Sequence, residues 1–238
     1  MAPLFFHDGI LTAGAEVHLH DDTAKHVVQV LRMQQGDKID LTDGKGTHAH
    51  AVIGQVQKKR CTVMVNDAHQ HERRQISLHL GVAFTKNSSR NEWILEKVTE
   101  LGVASIIPLQ TTRSEREKFR YDRWQNILLS AILQSRQYFL PELKDLTSLD
   151  KLLSTSAGIE QKLLAHCIDA MPRQPIREAV QKDKETLLLI GPEGDFTEEE
   201  VNSLTSKGFR GISMGSNRLR TETAAVTACA FFNMLNHG

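Results

Sequence analysis

Two glycine-punctuated segments near the end of the chain carry the residues best suited to holding a ligand. Leu187-Leu188-Leu189-Ile190 is an apolar run that reads as a buried strand, and Gly191-Pro192-Glu193-Gly194-Asp195-Phe196 follows it. Thr197-Glu198-Glu199-Glu200 then reads as a capped, acid-rich helix start. Gly191 and Gly194 let a ligand approach the main chain, while Pro192 stiffens the turn between them. Gly211-Ile212-Ser213-Met214 reads as a second strand broken by Gly215, and Thr221-Glu222-Thr223-Ala224-Ala225-Val226 opens another helix. A third apolar run, Lys162-Leu163-Leu164-Ala165-His166, also ends in a loop. Open α/β sheets bind ligands beyond the carboxyl ends of their strands, so the three loops are expected to share one ligand.

Other chemistry-bearing patterns fail on context. Gly44-Lys45-Gly46-Thr47-His48-Ala49 fits a dinucleotide-binding pattern, but the residues after it are strand-like rather than helical, so it reads as a hairpin turn. No phosphate-cradling G-x-x-x-x-G-K-[ST] occurs, which excludes a P-loop nucleotidase. The pairs His18/His20, His48/His50 and His69/His71 each put two imidazoles on one strand face, yet they lack a nearby cysteine or acidic partner at ligand spacing; no metal is expected.

The elements that must position the loops follow from periodicity. Residues up to about 72 are β-rich: Ile39-Asp40-Leu41-Thr42 and Ala51 to Val56 flank the turn Asp43-Gly44-Lys45-Gly46, and Cys61 to Val65 adds a strand. This suggests a small barrel, with Asn66 to Gln75 as a linker. From Ile76 strands alternate with amphipathic helices, the pattern of α/β architecture. Ser89 and Glu92 fit a capping box; Ile94, Val98 and Leu101 mark one helical face that ends at Gly102. Trp124, Ile127, Leu128, Ala131 and Ile132 form a core-facing stripe on the next helix.

The 238 residues balance 29 Lys and Arg against 29 Asp and Glu, so net charge gives no case for nonspecific nucleic-acid binding. Basic residues cluster locally, at Lys58-Lys59-Arg60 with Arg73-Arg74, and at Arg113, Arg116, Lys118, Arg120 and Arg123 among Glu115, Glu117 and Asp122. Three dispersed cysteines indicate neither a disulfide framework nor a zinc cluster. The N-terminus lacks the character of a signal peptide and no stretch is long enough to span a membrane, so the cytoplasm is the expected location.

Taken in order, His26-Val27-Val28-Gln29-Val30-Leu31-Arg32 with Gly36-Asp37, Lys97-Val98-Thr99-Glu100-Leu101-Gly102-Val103 with Ile107-Pro108, Gln134-Ser135, Pro141 and both C-terminal segments resemble the RsmE family of ribosomal RNA uridine-N3 methyltransferases, in the SPOUT superfamily. The resemblance covers nearly the whole chain. It implies an α/β fold: a SPOUT methyltransferase domain with a C-terminal trefoil knot over 73–238, preceded by a small PUA-like β-barrel RNA-binding domain over 1–72. Three positions depart from the family pattern: Asp195 replaces a second glycine, Ser216-Asn217-Arg218 stands where Pro-Arg is usual, and Arg136-Gln137 where Gly-Arg is usual.

The resemblance further implies that S-adenosylmethionine lies among the loops against Leu164, His166, Ile190, Gly191, Pro192, Glu193, Gly194, Met214, Gly215, Asn217, Leu219, Arg220, Thr221, Thr223 and Ala224. Arg220 would stabilise negative charge on the uracil or hold phosphate; Glu222 would position groups or accept the N3 proton, or alternatively cap its helix. RNA contacts would involve His26, Arg32, Arg113, Arg123 and Arg136. The implied substrate is a uridine in the decoding region of 16S ribosomal RNA, within the small subunit, and the implied assembly is a homodimer through the knot region. Two alternatives remain, a SPOUT-type tRNA methyltransferase and a noncatalytic RNA-binding assembly factor. The N-terminal barrel with His26 to Arg32 weighs against the first, and intact Arg220-Thr221-Glu222-Thr223 against the second.

Overall fold

The computed structural model describes residues 2–57, 60–114 and 119–237. Of the basic clusters read from sequence, Lys58, Lys59, Arg116 and Lys118 lie outside the described residues, with Glu115 and Glu117. The chain forms two compact units, Met1–Arg73 with Leu129–Leu140, and Arg74–Leu128 with Pro141–Gly238. Among the described residues no helix is long and apolar enough to cross a membrane.

The first unit is a five-stranded sheet of β1 (Leu4–Phe6), β2 (Glu16–His18), β3 (Lys38–Thr42), β4 (Thr47–Gln57) and β5 (Arg60–Gln70), in the order β1-β3-β4-β5-β2. Helix α1 (Asp21–Lys25) runs into a π-helical turn, His26–Val30. The period-2 alternation of β4 turns Ala49, Ala51 and Ile53 inward to meet Ile39, Leu41, Val63 and Val65. Asp43 builds the expected hairpin turn, accepting from the Lys45 and Thr47 amides at 2.7 and 3.0 Å. The expected linker begins later than the composition suggested, because Asp67 to Gln70 continue the ladder opposite Thr47 to His50.

The sequence expectation drew the division at 72/73 and did not foresee that 129–140 belongs with the sheet. Tyr138 stacks against both His48 and His71, with ring centroids 4.4 and 4.6 Å away, and Leu140 donates to the Gly44 carbonyl at 2.8 Å. Asp40, opposite His50 in the β3–β4 ladder, is buried with its carboxylate 2.7 Å from His50 Nδ1 and 2.6 Å from Arg136 Nη2. The acidic partner that the His48/His50 pair lacked in sequence is thus supplied across the strands, and a guanidinium already shares it.

The second unit is built on a parallel sheet. Its strands are β6 (Leu78–Val82), β7 (Ser105–Gln110), β8 (Glu142–Leu143), β9 (Thr147–Ser148), β10 (Gln161–Ala165), β11 (Gln174–Pro175), β12 (Thr186–Ile190) and β13 (Arg210–Ser213). The order is β11-β13-β10-β12-β6-β7-β8, with β9 beside β7. All five residues of β12 are buried, as a strand covered on both faces requires. The helices are α2 (Ser88–Glu100), α3 (Tyr121–Gln134, across the division), α4 (Leu149–Thr155), α5 (Ile176–Ala179), α6 (Glu198–Ser206) and α7 (Thr221–His237). Trp124 is buried against Phe84 and Phe119, a packing role.

The two expected caps differ in outcome. Thr197 and Glu200 form a reciprocal capping box at α6. At α2 the cap is Asn87, whose side chain accepts from the Arg90 amide, rather than Ser89. Glu92 is drawn away to Arg123, 2.6 Å distant, and so does not close a box.

Burial holds the His48 pKa below its ordinary value, despite the nearby Asp40 carboxylate. A buried imidazole favoured in its neutral form stabilises the fold fully above the unfolded value near 6.5, and that contribution is lost as pH falls below it. Amide exchange across β3–β5 should therefore accelerate between pH 7 and 5 after correction for intrinsic rates. His48→Phe, which keeps the stack on Tyr138 without titrating, should show a smaller acceleration.

Candidate active site

A connection across strand ends creates the site. β13 pairs with β10, two strands from β6, yet the helix that follows it, α7, packs on α2, β6 and β12. Residues 214–220 must therefore pass back over the carboxyl ends of β10 and β12. The crossing is tied down on arrival, where Thr221 Oγ1 donates to the Gly191 carbonyl at 3.1 Å and Arg218 Nη2 reaches the Glu193 carbonyl at 3.5 Å. Beneath it lies a cavity of about 970 Å³, lined by the loops after β10, β12 and β13.

The walls combine aliphatic side chains with bare main chain. Ile190, Ile212, Met214 and Leu219 supply the apolar surface, together with Ala165 and Ala224. Gly215 has φ +126°, a conformation closed to L side chains, and nothing lies within 4 Å of where a Cβ would stand. Its constraint is in the backbone rather than in crowding. Gly211 is the opposite case: a Cβ there would meet the Pro172 carbonyl at 2.5 Å and His166 Nε2 at 2.7 Å. His166 is buried, its Nε2 has no hydrogen-bond partner, and burial pushes its pKa down, outweighing the attraction of Asp195. Partial desolvation raises the Cys167 thiol although the residue is exposed, so it stands neutral at pH 7.

Most of the sequence-predicted cofactor residues meet at this cavity. His166, Ile190, Gly191, Pro192, Glu193, Met214, Gly215, Asn217, Leu219, Arg220, Thr221 and Ala224 line it. Three lie outside its wall. Leu164 points into the core with Leu189 and Phe196, because strand alternation sends only one side of β10 toward the loops. Gly194 faces Arg113, whose Nη1 takes its carbonyl at 2.8 Å, and Thr223 is exposed on α7. Glu222 also stands off the wall: Oε1 is 3.6 Å from Arg90 Nε, and Oε2 is buried with no hydrogen-bond partner. Arg220 is exposed at the cavity.

Sequence reasoning assigned no ligand-binding role to four of the charged residues on this wall. Arg90 comes from α2 and holds Glu193 at 2.9 Å; Arg173 and Arg218 bring further positive charge. Asp195 accepts from the Cys167 amide at 2.7 Å and from the Phe196 amide at 2.8 Å. Its replacement of a family glycine was the available signal. The residues expected to contact RNA fall in both units. His26 and Arg32 are exposed in the first unit, where Arg136 is bound to Asp40 and to the Ala2 carbonyl. In the second unit Arg113 is tied to Gly194 and Phe196, and Arg123 to Glu92.

Known proteins resemble this chain over most of its length. The RNA methyltransferase domain model matches residues 71–233, and the RNA methyltransferase PUA domain model matches residues 19–65. The chain is 30% identical over 227 residues to ribosomal RNA small subunit methyltransferase E of Bacillus subtilis, covering 90% of this chain and 86% of that protein. The Synechocystis protein of the same name is 29% identical, covering 93% and 74%. Among solved structures, ribosomal RNA small subunit methyltransferase E from Neisseria gonorrhoeae bound to S-adenosyl methionine superposes with a TM-score of 0.89 at 27% identity, covering 99% of this chain and 98% of that one.

The crossing segment depends on Gly215, so Gly215→Ala should cost about 1–3 kcal/mol in chemical denaturation and speed amide exchange over 214–220. Gly208→Ala provides the control. Gly208 also has positive φ, +89°, with open space around it, but it follows α6. That variant should lose comparable stability and leave exchange at 214–220 unchanged.

Proposed function

Since the chain belongs to the RsmE family of RNA methyltransferases, we propose that it transfers a methyl group from S-adenosylmethionine to small-subunit ribosomal RNA, at N3 of a uridine. The observation that carries the reading is the single cavity formed by three strand-end loops inside the segment matched by the methyltransferase model.

The cavity fits the donor in size and character. About 970 Å³ suits a nucleoside-sized ligand, aliphatic walls can sandwich an adenine, and main chain exposed at Gly215 offers hydrogen bonds. Bound there, the donor supplies a methyl group already activated on a sulfonium, so the chain's tasks are alignment and loss of the uracil N3 proton. Arg220, exposed at the cavity, is the group that can meet negative charge developing on the base. Glu222 stands behind the wall in the first turn of α7 and faces Arg90, which favours a positioning role over direct proton acceptance.

The reading includes a cytoplasmic homodimer, knotted at the C-terminus and acting on the assembled small subunit. The crossing at 214–220 supports the knot, and the exposed Met234 on α7 supports pairing near it. The names of the relatives support ribosomal RNA over tRNA as substrate.

In single-turnover assays with donor binding verified, Arg220→Ala should lower the methyl-transfer rate about 100-fold and Glu222→Gln about tenfold. Undiminished rates in both would remove these residues from the chemistry. Small subunits and tRNA from cells lacking the activity, incubated with labelled donor, should yield 3-methyluridine in the ribosomal RNA by mass spectrometry. Label on a ring carbon, on ribose, or only on tRNA would reject the assignment.

A further inference from the structure

Asp195 is a non-glycine residue held in left-handed conformation, φ +64°, on the cavity wall. Glycine would adopt that conformation without strain, whereas an aspartate is retained there only against a conformational cost that its side chain must offset. The side chain makes two short bonds. Oδ1 accepts from the following amide, Phe196, at 2.8 Å and so fixes the carboxylate; Oδ2 then reaches across to the Cys167 amide at 2.7 Å. The first bond is local to the loop after β12, while the second joins that loop to the one after β10.

These loops form two of the three walls of the cavity. Cys167 is exposed, and β10 ends two residues before it. Beside it, Arg173 Nη1 donates to the His166 carbonyl at 3.2 Å, and the Ile168 amide lies 3.3 Å from His166 Nδ1. Both contacts hold the β10 loop to itself. Ile168 and Met171 pack on the core that includes Phe196, and among the described residues the Asp195 carboxylate supplies the hydrogen bond that joins this loop to its neighbour.

We propose that Asp195 is a positioning residue for the methyl donor, a carboxylate staple that fixes the spacing of the β10 and β12 loops before the donor enters. The inference rests on the donor-pocket reading above and adds a role for a residue at which this chain departs from its family. Preorganisation of this kind acts on binding: the ordering of the two walls is completed on folding rather than charged to the donor.

The test uses the full chain with Asp195→Gly and Asp195→Asn. Glycine removes the staple but suits the backbone, so the thermal midpoint should equal or exceed that of the unsubstituted protein. Its dissociation constant and KM for S-adenosylmethionine should rise about tenfold, the scale of one lost bond to a charged acceptor, with kcat and KM for RNA unchanged. The Cys167 amide should exchange faster. Asparagine tolerates the conformation and keeps one acceptor oxygen, and should recover part of the affinity. Donor affinity in Asp195→Gly equal to that of the unsubstituted protein would overturn the proposal, as would a fall in thermal midpoint parallel to the loss of affinity. Failure of the unsubstituted protein to bind S-adenosylmethionine would instead overturn the donor reading itself.

Discussion

The constraint on which the second unit depends is the route of the chain between β13 and α7. A helix following a parallel strand ordinarily packs near that strand, but α7 lies on α2, β6 and β12 while β13 is beyond β10. The connecting residues have to cross two strand ends, and the space they enclose becomes the cavity. Its features follow from that crossing: Gly215 turns where a side chain is forbidden, and Thr221 fastens the new helix to the loop it has crossed. Arg218 reaches that same loop. The sheet beneath can bear this because β12, buried along its length, pairs in parallel on both sides over five residues.

Two departures from the family pattern share one physical logic. Arg136 and Asp195 both occupy left-handed backbone, and both depart from the motif pattern on which the sequence resemblance rests. At Arg136 the end of α3 closes in a Schellman arrangement, with Gln137 donating to the Ile132 carbonyl and Arg136 to that of Leu133. Its guanidinium then secures buried Asp40, where hydrogen bonds from His50 and Arg136 outweigh burial and hold the carboxyl below its ordinary pKa. Asp195 does the comparable thing for two loops. In each case a strained conformation persists because the side chain forms a bridge that glycine cannot.

Charge around the cavity is organised rather than accumulated. Arg90 lies between Glu193 and Glu222, so a helix that carries no strand-end loop still helps set the position of the first turn of α7. Arg113, by contrast, is spent on the carbonyls of Gly194 and Phe196. A run of basic residues in sequence is therefore a poor guide to free positive surface, since Arg113 anchors a loop and Arg123 is paired with Glu92.

Local pattern was enough for the strand-loop-helix units around Gly191 and Gly215, for the hairpin at Asp43 to Gly46, and for the α6 capping box. Each depends on residues within a few positions of one another, where turn and cap chemistry act directly. The ordered family motifs extended this to the architecture and to most of the cavity residues. The fate of Leu164, the withdrawal of Glu92 from its cap and the place of 129–140 beside the first sheet were settled by partners distant in sequence. So was the pairing of Asp195 with Cys167, two residues 28 positions apart. Sequence determined which segments could make strands, turns and a ligand site, because those are short-range properties of the backbone. Only the tertiary structure decided which side chains face the cavity and which carry loops, because burial and hydrogen bonding between remote segments fix both.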